Sequence, residues 1–403
     1  MLPQEFAKYG MQCLHVQSSG NITADFLASF RAGDFVQGFV VGAHGSLDKV
    51  MEGLSKYDIG CVVAGTETAV EVAEQLAALL DVAGNAPATS RLRRDKFKMH
   101  ERLRAQGLSA LAQANCTTVQ QALDWAAQHA TWPVVIKPTA SAGADGVTFC
   151  DDLAQVKAAA EAVLGQRNKL GEMNDAIVIQ EKLVGQQYIV NAVSLGGQHY
   201  ISEIWRDDKI AVENAALVCD REVLMPPDSD IALALQSYVI DCLDALGVRE
   251  GPSHSELFKT TDGTLVLIET AARMQGTIDH KAVVEATGHS HVTLTALRYA
   301  DPEQFSRLVG SRYERRTNLH CVTLCSPYDG IVVSNHCPET IGKLASFRSL
   351  IHTPAPGEAV ARTIDLFTNP GIVYLANQDE RNLEQEYRQI RQWESAGALF
   401  TLR

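Results

Sequence analysis

Over residues 1–92, short apolar runs alternate with stretches in which apolar residues recur every three or four positions. The runs are Gln12–Val16, Phe35–Val41 and Ile59–Ala64, and the helical patterns lie near Ala24–Arg31, Ser46–Tyr57 and Thr66–Leu80. This alternation predicts a parallel sheet flanked by helices. Ser90–Gly107 then reads as a charged helix. A helix at Thr117–His129, a strand at Trp132–Pro138, a strand at Val147–Cys150 and a helix at Leu153–Leu164 follow, and Ala176–Val190 reads as strand, bend, strand. A hairpin at Asn191–Ser194 and His199–Trp205 turns at Gly196-Gly197, and an amphipathic helix at Asp230–Leu246 ends at Gly247. Leu319–Arg403 holds strands near Cys321–Ser326, Gly330–Val333 and Ile372–Ala376, and a helix at Asp379–Glu394.

The most informative pattern is a hairpin between these last two regions. Strands at His254–Lys259 and Thr264–Thr270 flank Thr261-Asp262-Gly263, a turn of the Asp-Gly kind that supplies positive φ. Glu256 and Glu269 come out opposite each other across such a ladder, and adjacent carboxylates repel unless a cation lies between them. A hard, oxygen-seeking ion such as Mg²⁺ fits that demand. Glu269 ends the run Leu265–Ile268, where an unpaired charge is expensive, which favours a site over a solvated surface hairpin. Arg273 adds a fork of donors suited to phosphate or carboxylate.

A second candidate lies where the strand ending in Lys137 meets Thr139–Val147, almost all small or turn-forming residues. Ser141, Gly143 and Gly146 suit a backbone that closes on polyphosphate. The stretch is neither a Walker loop nor a Rossmann fingerprint. Glu67, after Val62–Thr66, reads as a helix-start acid stabilised by the helix dipole, with a ligand contact as the alternative.

Composition narrows the class. With 403 residues and 46% hydrophobic content, the chain can bury a core spanning two or three domains. A net charge of −13 argues against general nucleic-acid or membrane-surface binding. The nine cysteines are scattered without zinc spacing, Cys321 and Cys325 read as core, and a reducing, cytoplasmic setting is expected. No apolar run is long enough to span a membrane. His289 and His291 do not share a helix face and are no metal pair.

The strings Gly251-x-x-His254-x-Glu256 and Leu267-Ile-Glu269-x-x-x-Arg273-x-x-Gly276 resemble the metal-binding end of the ATP-grasp ligases. They are most similar to the L-amino acid ligase branch, which makes dipeptides. The resemblance runs from about residue 2 to the end and implies an α/β ATP-grasp fold. It divides the chain into an N-terminal Rossmann-like parallel-sheet domain (1–92), a linker helix with a small mobile lobe (93–180) and a large mixed-sheet lobe with a C-terminal subdomain (181–403). A homodimer contact is expected in the last segment.

The resemblance places ATP on Lys96, Lys137, Ser141, Gly143, Gly146, Glu181, Lys182, Leu183, Gln187 and Leu267, with a core leucine as the simpler reading of the last, and Mg²⁺ on Glu256 and Glu269. It makes Arg273 catalytic and puts the substrates near His254, Arg273, Gly276, Thr277 and His280. Lys209 falls where the family often has a basic residue near the phosphates, and a solvated lysine is the alternative. Three features depart from the family. Gln187 replaces a ribose-binding glutamate, and Ala271 stands where many members have a metal-binding asparagine. The chain also opens on a helix at Leu2–Tyr9, where the family has a strand and a Ser-Ser-Gly-like turn first. The implied reaction joins two amino acids through an acyl phosphate, giving ADP and phosphate. The alternatives are a ligase for a non-standard acid or amine in secondary metabolism, and a nucleotide-binding protein without catalysis.

Overall fold

The computed structural model describes residues 1–20, 30–129, 131–141, 143, 145–210 and 218–403. Near the N-terminus, β1 (His15–Gln17) and β2 (Gly38–Val40) pair in parallel over a core of Val41, Val50, Leu54 and Leu76. Helices Asp48–Leu54 and Val70–Leu79 follow the expected order. The expected third strand, Ile59–Ala64, forms no ladder among the described residues. Its apolar character has another cause, since Ile59 and Val62 pack into that same core. The helix expected near Ala24–Arg31 falls largely outside the described residues.

The opening helix is shorter than expected, Leu2–Ala7, and packs on helix His291–Ala300. The strand and small-residue turn expected ahead of it come after it instead, as β1 running into Ser18-Ser19-Gly20.

The expected helix Ser90–Gly107 is broken in two. A 3₁₀ stretch, Pro87–Arg93, precedes helix Lys96–Ala105, and the Asp95 carboxylate caps that helix by accepting from the Lys98 N–H at 3.1 Å. A short acid that satisfies the first free amides starts a helix more readily than it continues one. The cap puts Lys96 in the first turn.

Four antiparallel strands follow: β3 (Gln113–Cys116), β4 (Val134–Pro138), β5 (Thr148–Cys150) and β6 (Ile177–Glu181), in the order β3-β6-β4-β5. Helices Val119–His129 and Leu153–Val163 cover the sheet. All of β4 is buried, which explains its unbroken apolar run.

The remainder is built on β7 (Gly185–Leu195), β8 (Gln198–Ile210), β9 (Val218–Leu224), β10 (Gly251–Thr260), β11 (Leu265–Ala271) and β12 (Asn318–Thr323). Three strands form a separate small sheet: β13 (Gly330–Asn335), β15 (Ala359–Val360) and β17 (Phe400–Leu402). With β14 (Phe347–Ile351) and β16 (Ile372–Asn377), the main sheet has eight strands in the order β11-β10-β7-β8-β9-β12-β16-β14. The sequence pattern does not mark β3, β9, β14, β15 and β17, most of which are short or poorly alternating. Helices Asp230–Ala245, His280–Thr287 and His291–Ala300 pack around the core of this sheet, and Glu380–Ser395 packs on its C-terminal strands.

Candidate active site

The β10–β11 hairpin turns where expected. The Asp262 carboxylate accepts from the Thr264 N–H at 3.1 Å, and Gly263 takes φ 91°. Glu256 and Glu269 are direct partners in the ladder, and the register slips immediately afterwards, so that Leu257 pairs with Leu267 and Ile268 bulges out. The bulge reverses the facing of the strand. Glu256, Phe258, Ile268 and Glu269 line an open cleft of about 3120 Å³, whereas Leu267 is fully buried in the core.

The two carboxylates have different company. Lys96 Nζ lies 2.6 Å from Glu269 Oε2 and donates to the Ser141 carbonyl at 2.9 Å. Glu256 accepts from Gln187 Nε2 at 3.0 Å and faces His254 Nε2 at 3.4 Å. Burial pushes the Glu256 pKa up, but His254, Lys209 and Arg273 outweigh it and hold the carboxylate ionised. Lys137, at the end of β4, is 4% exposed. Burial, reinforced by the charge of Lys96, lowers its pKa to about 7, so that the amine is only partly protonated until an anion such as polyphosphate arrives beside it.

In the loop after β4, the Ser141 hydroxyl donates to Asp145 Oδ2 at 2.7 Å, and Gly143 and Gly146 have φ of 67° and 66°. Both glycines occupy the left-handed region that disfavours a side chain. Gly143 lines the cleft and Gly146 does not. A Cβ on Gly146 would press on Pro138 and Val163, so close packing within the small lobe accounts for it. Lys182 and Leu183 reach the cleft, but Glu181 turns away, and its carboxylate accepts from the Ala112 N–H at 2.8 Å to extend the β3–β6 pairing. Glu181, Gly146 and Leu267 do not line the cleft. Gln187 lines the cleft, yet its amide is spent on Glu256.

Arg273 Nε donates to Glu67 Oε2 at 2.7 Å, and Arg94 Nη1 donates to the other oxygen of Glu67 at 2.7 Å. Burial raises the Glu67 pKa, and the two guanidiniums outweigh burial to bring it to about 2. Glu67 therefore ties the first segment of the chain to the end of the hairpin. Its readable signal was an acid at the mouth of a small-residue turn, and its arginine partners lie too far off in sequence to be inferred.

His254, Gly276, Thr277 and His280 all line the cleft. His254 Nδ1 bonds Asn191 Oδ1 at 2.8 Å, and His280 Nδ1 lies 3.9 Å from Glu5 on the opening helix. Thr277 has φ 53°, a costly conformation for a β-branched residue, and its carbonyl accepts from the Tyr374 hydroxyl at 3.3 Å. Lys209 is not solvated. It pairs with Asp207 at 2.7 Å inside the cleft.

The ATP-grasp domain family matches residues 130–280. Over 393 residues the chain is 30% identical to dapdiamide A synthase of Enterobacter agglomerans, covering 97% of this chain and 92% of that protein. The chain belongs to the ATP-grasp ligases. An L-arginine-specific L-amino acid ligase of Bacillus subtilis is 23% identical over 220 residues, covering 53% of this chain and 51% of its own. Among solved structures, the L-amino acid ligase of Bacillus licheniformis superposes with a TM-score of 0.79 at 17% identity, covering 97% of this chain and 93% of that one. The ATP-grasp architecture, with its parallel pair, small antiparallel sheet and large sheet, is thus common to both. This ATP-grasp ligase is an enzyme that couples ATP to C–N bond formation. No helix among its described residues is long and apolar enough to cross a membrane.

Proposed function

We propose that the enzyme joins two amino acids into a dipeptide by phosphorylating the carboxylate of one and transferring the acyl group to the amine of the other. The observation that carries this reading is the register of Glu256 against Glu269, with Lys96, Lys137 and Arg273 in the same cleft. Lys96 already lies between the carboxylate pair and the loop, so the site accepts positive charge where a metal would sit. Glu256 and Glu269 would hold Mg²⁺, which when bound neutralises charge on the transferring phosphoryl group.

The protein's own groups do the rest. Lys96, Lys137, Ser141 and Gly143 grip the phosphates, and the extended backbone at Lys182 and Leu183 meets adenine. Arg273 stabilises the oxyanion of the tetrahedral adduct as the amine attacks the acyl phosphate. His254, Gly276, Thr277 and His280 shape the substrate space. Excluding water when the loop closes protects the acyl phosphate from hydrolysis. The division into 1–92, 93–180 and 181–403, the cytoplasmic setting and a homodimer contact in the C-terminal segment belong to the same reading.

A second reading, a ligase for a non-standard acid or amine in secondary metabolism, is supported by the similarity to dapdiamide A synthase along nearly the whole chain. Phosphate release from ATP and Mg²⁺ across single amino acids and all pairs, with product masses, separates them. Release that needs a pair and yields the two masses less water establishes the dipeptide ligase. Silence across all standard pairs rejects it in favour of the second reading.

A further inference from the structure

The cleft continues past Glu256 along one face of the eight-stranded sheet, and the ladder register fixes what lies there. Gln187 pairs with Asp207, Asp207 with Glu222, and Glu222 with Cys321. All four line the cleft. Adjacent strands lie about 4.8 Å apart, so the backbone of Glu222 on β9 stands roughly 14 Å across the sheet from Phe258 on β10, which lies two residues along the strand from Glu256.

Basic side chains answer the other acids on this face. Lys96 meets Glu269, Lys209 meets Asp207 and His254 faces Glu256. Glu222 makes no ion pair among the described residues, and its hydrogen-bond partner is a neutral amide, Gln275 Nε2, donating to Oε2 at 2.9 Å. Gln275 is itself fixed, because its Oε1 accepts from Asn191 Nδ2 at 2.6 Å and its backbone N–H donates to His291 Nδ1 at 3.3 Å. The other carboxylate oxygen of Glu222 has no protein donor among the described residues. Burial and the charge of Asp207 push the Glu222 pKa up and outweigh Lys209, whose ammonium is paired with Asp207.

We propose that Glu222 receives the side-chain ammonium of a diamino acid substrate, held on the sheet face beyond Glu256. This rests on the ligase reading above and narrows its substrate class. An α-ammonium is one carbon removed from its own carboxyl group and cannot reach Glu222 while that carboxyl reacts beside Glu256. An amine at the end of a side chain of several methylenes can.

The test compares ornithine with norvaline, and lysine with norleucine, as one member of each substrate pair; the chains match in length and differ only in the terminal amine. For the wild type, kcat/KM should favour the diamino acid by about 10- to 100-fold, the worth of a hydrogen bond to a charged group. Glu222→Gln keeps the shape and can still accept from Gln275, and in it that ratio should fall towards one. Glu222→Asp, with a thermal melt on both variants, separates loss of charge from loss of fold. Calorimetric titration of ornithine and norvaline into the enzyme holding ADP and Mg²⁺ reads binding without turnover. Turnover with no preference for the diamino acid, or with a preference that survives in Glu222→Gln, overturns the inference and leaves the ligase reading standing. No turnover, with ornithine binding that is lost in Glu222→Gln, supports the inference and rejects the dipeptide reading. No turnover and equal binding of ornithine and norvaline rejects both.

Discussion

Lys96 Nζ lies 2.6 Å from Glu269 Oε2, so a group that would hold phosphate and a group that would hold metal neutralise each other before either ligand arrives. Substrate binding must then exchange one ion pair for two new contacts. Glu269→Gln should lower pair-dependent phosphate release by about 10²- to 10³-fold, the range for losing one transition-state contact. Lys96→Ala should act mainly on KM for ATP. Steady-state kinetics decide it, and Glu269→Gln activity within a few-fold of wild type would count against the metal assignment.

Lys137 gives a pH signature. Its pKa near 7 in the free enzyme should rise when phosphate anions neutralise it. Binding then takes up a proton, so ATP affinity should weaken as pH climbs through 7. Calorimetry in buffers of different ionisation enthalpy measures the uptake directly. Lys137→Met should abolish it.

Glu67 is a structural hinge pin as well as a neighbour of the chemistry. Its folded pKa lies below that of an unfolded glutamate, so it contributes stability that is fully present above pH 4.5 and is lost as pH falls towards 2. The size is about 3 kcal/mol. Glu67→Gln should lower the chemical-denaturation midpoint at pH 7 and, by releasing Arg273, reduce kcat as well. Arg273→Lys should cost activity with less loss of stability, because Arg94 still engages Glu67.

Two histidines set the acid limit. His100 and His291 are fully buried, and burial first, with nearby cations second for His100 and His254 second for His291, lowers both to about 3. Groups depressed in this way give stability that is present above pH 6.5 and lost as pH falls below it, each by up to about 1.4 kcal/mol per pH unit. The histidine contribution to the denaturation midpoint should therefore fall mainly between pH 6.5 and 5.5, with a smaller fall between 7.5 and 6.5. A pH dependence of the midpoint that is unchanged in His100→Asn and His291→Asn would contradict the buried, neutral state, since buried Glu222 and Glu203, with raised pKa, act with the opposite sign in both wild type and variants.

Local pattern carried the β10–β11 hairpin, its turn and the opposition of Glu256 to Glu269, because all three depend on adjacent residues. Leu267 comes to adenine only through the family resemblance, and the simpler reading of it as a core leucine is what the structure shows, with the bulge at Ile268 turning it inward. Glu181 keeps its motif position while its carboxylate serves the neighbouring β3–β6 pairing, a contact with a residue too far off in sequence to be inferred. Glu222 and Asp207 were invisible as site residues. They meet through the register of separate strands, and each by itself is an acid in a half-buried strand.

The strand that bears Glu269 lies at the rim of the eight-stranded sheet, a position where open backbone groups invite a second chain to add on. Side chains occupy three of those groups. His100 Nε2 meets the Ile268 carbonyl at 3.2 Å, the Tyr238 hydroxyl takes the Leu267 N–H at 3.0 Å, and Met99 Sδ takes the Thr270 N–H at 3.4 Å. Two of the three come from the helix that begins with Lys96. The helix that presents a lysine to the cleft thus also shields this border from intermolecular strand exchange and aggregation.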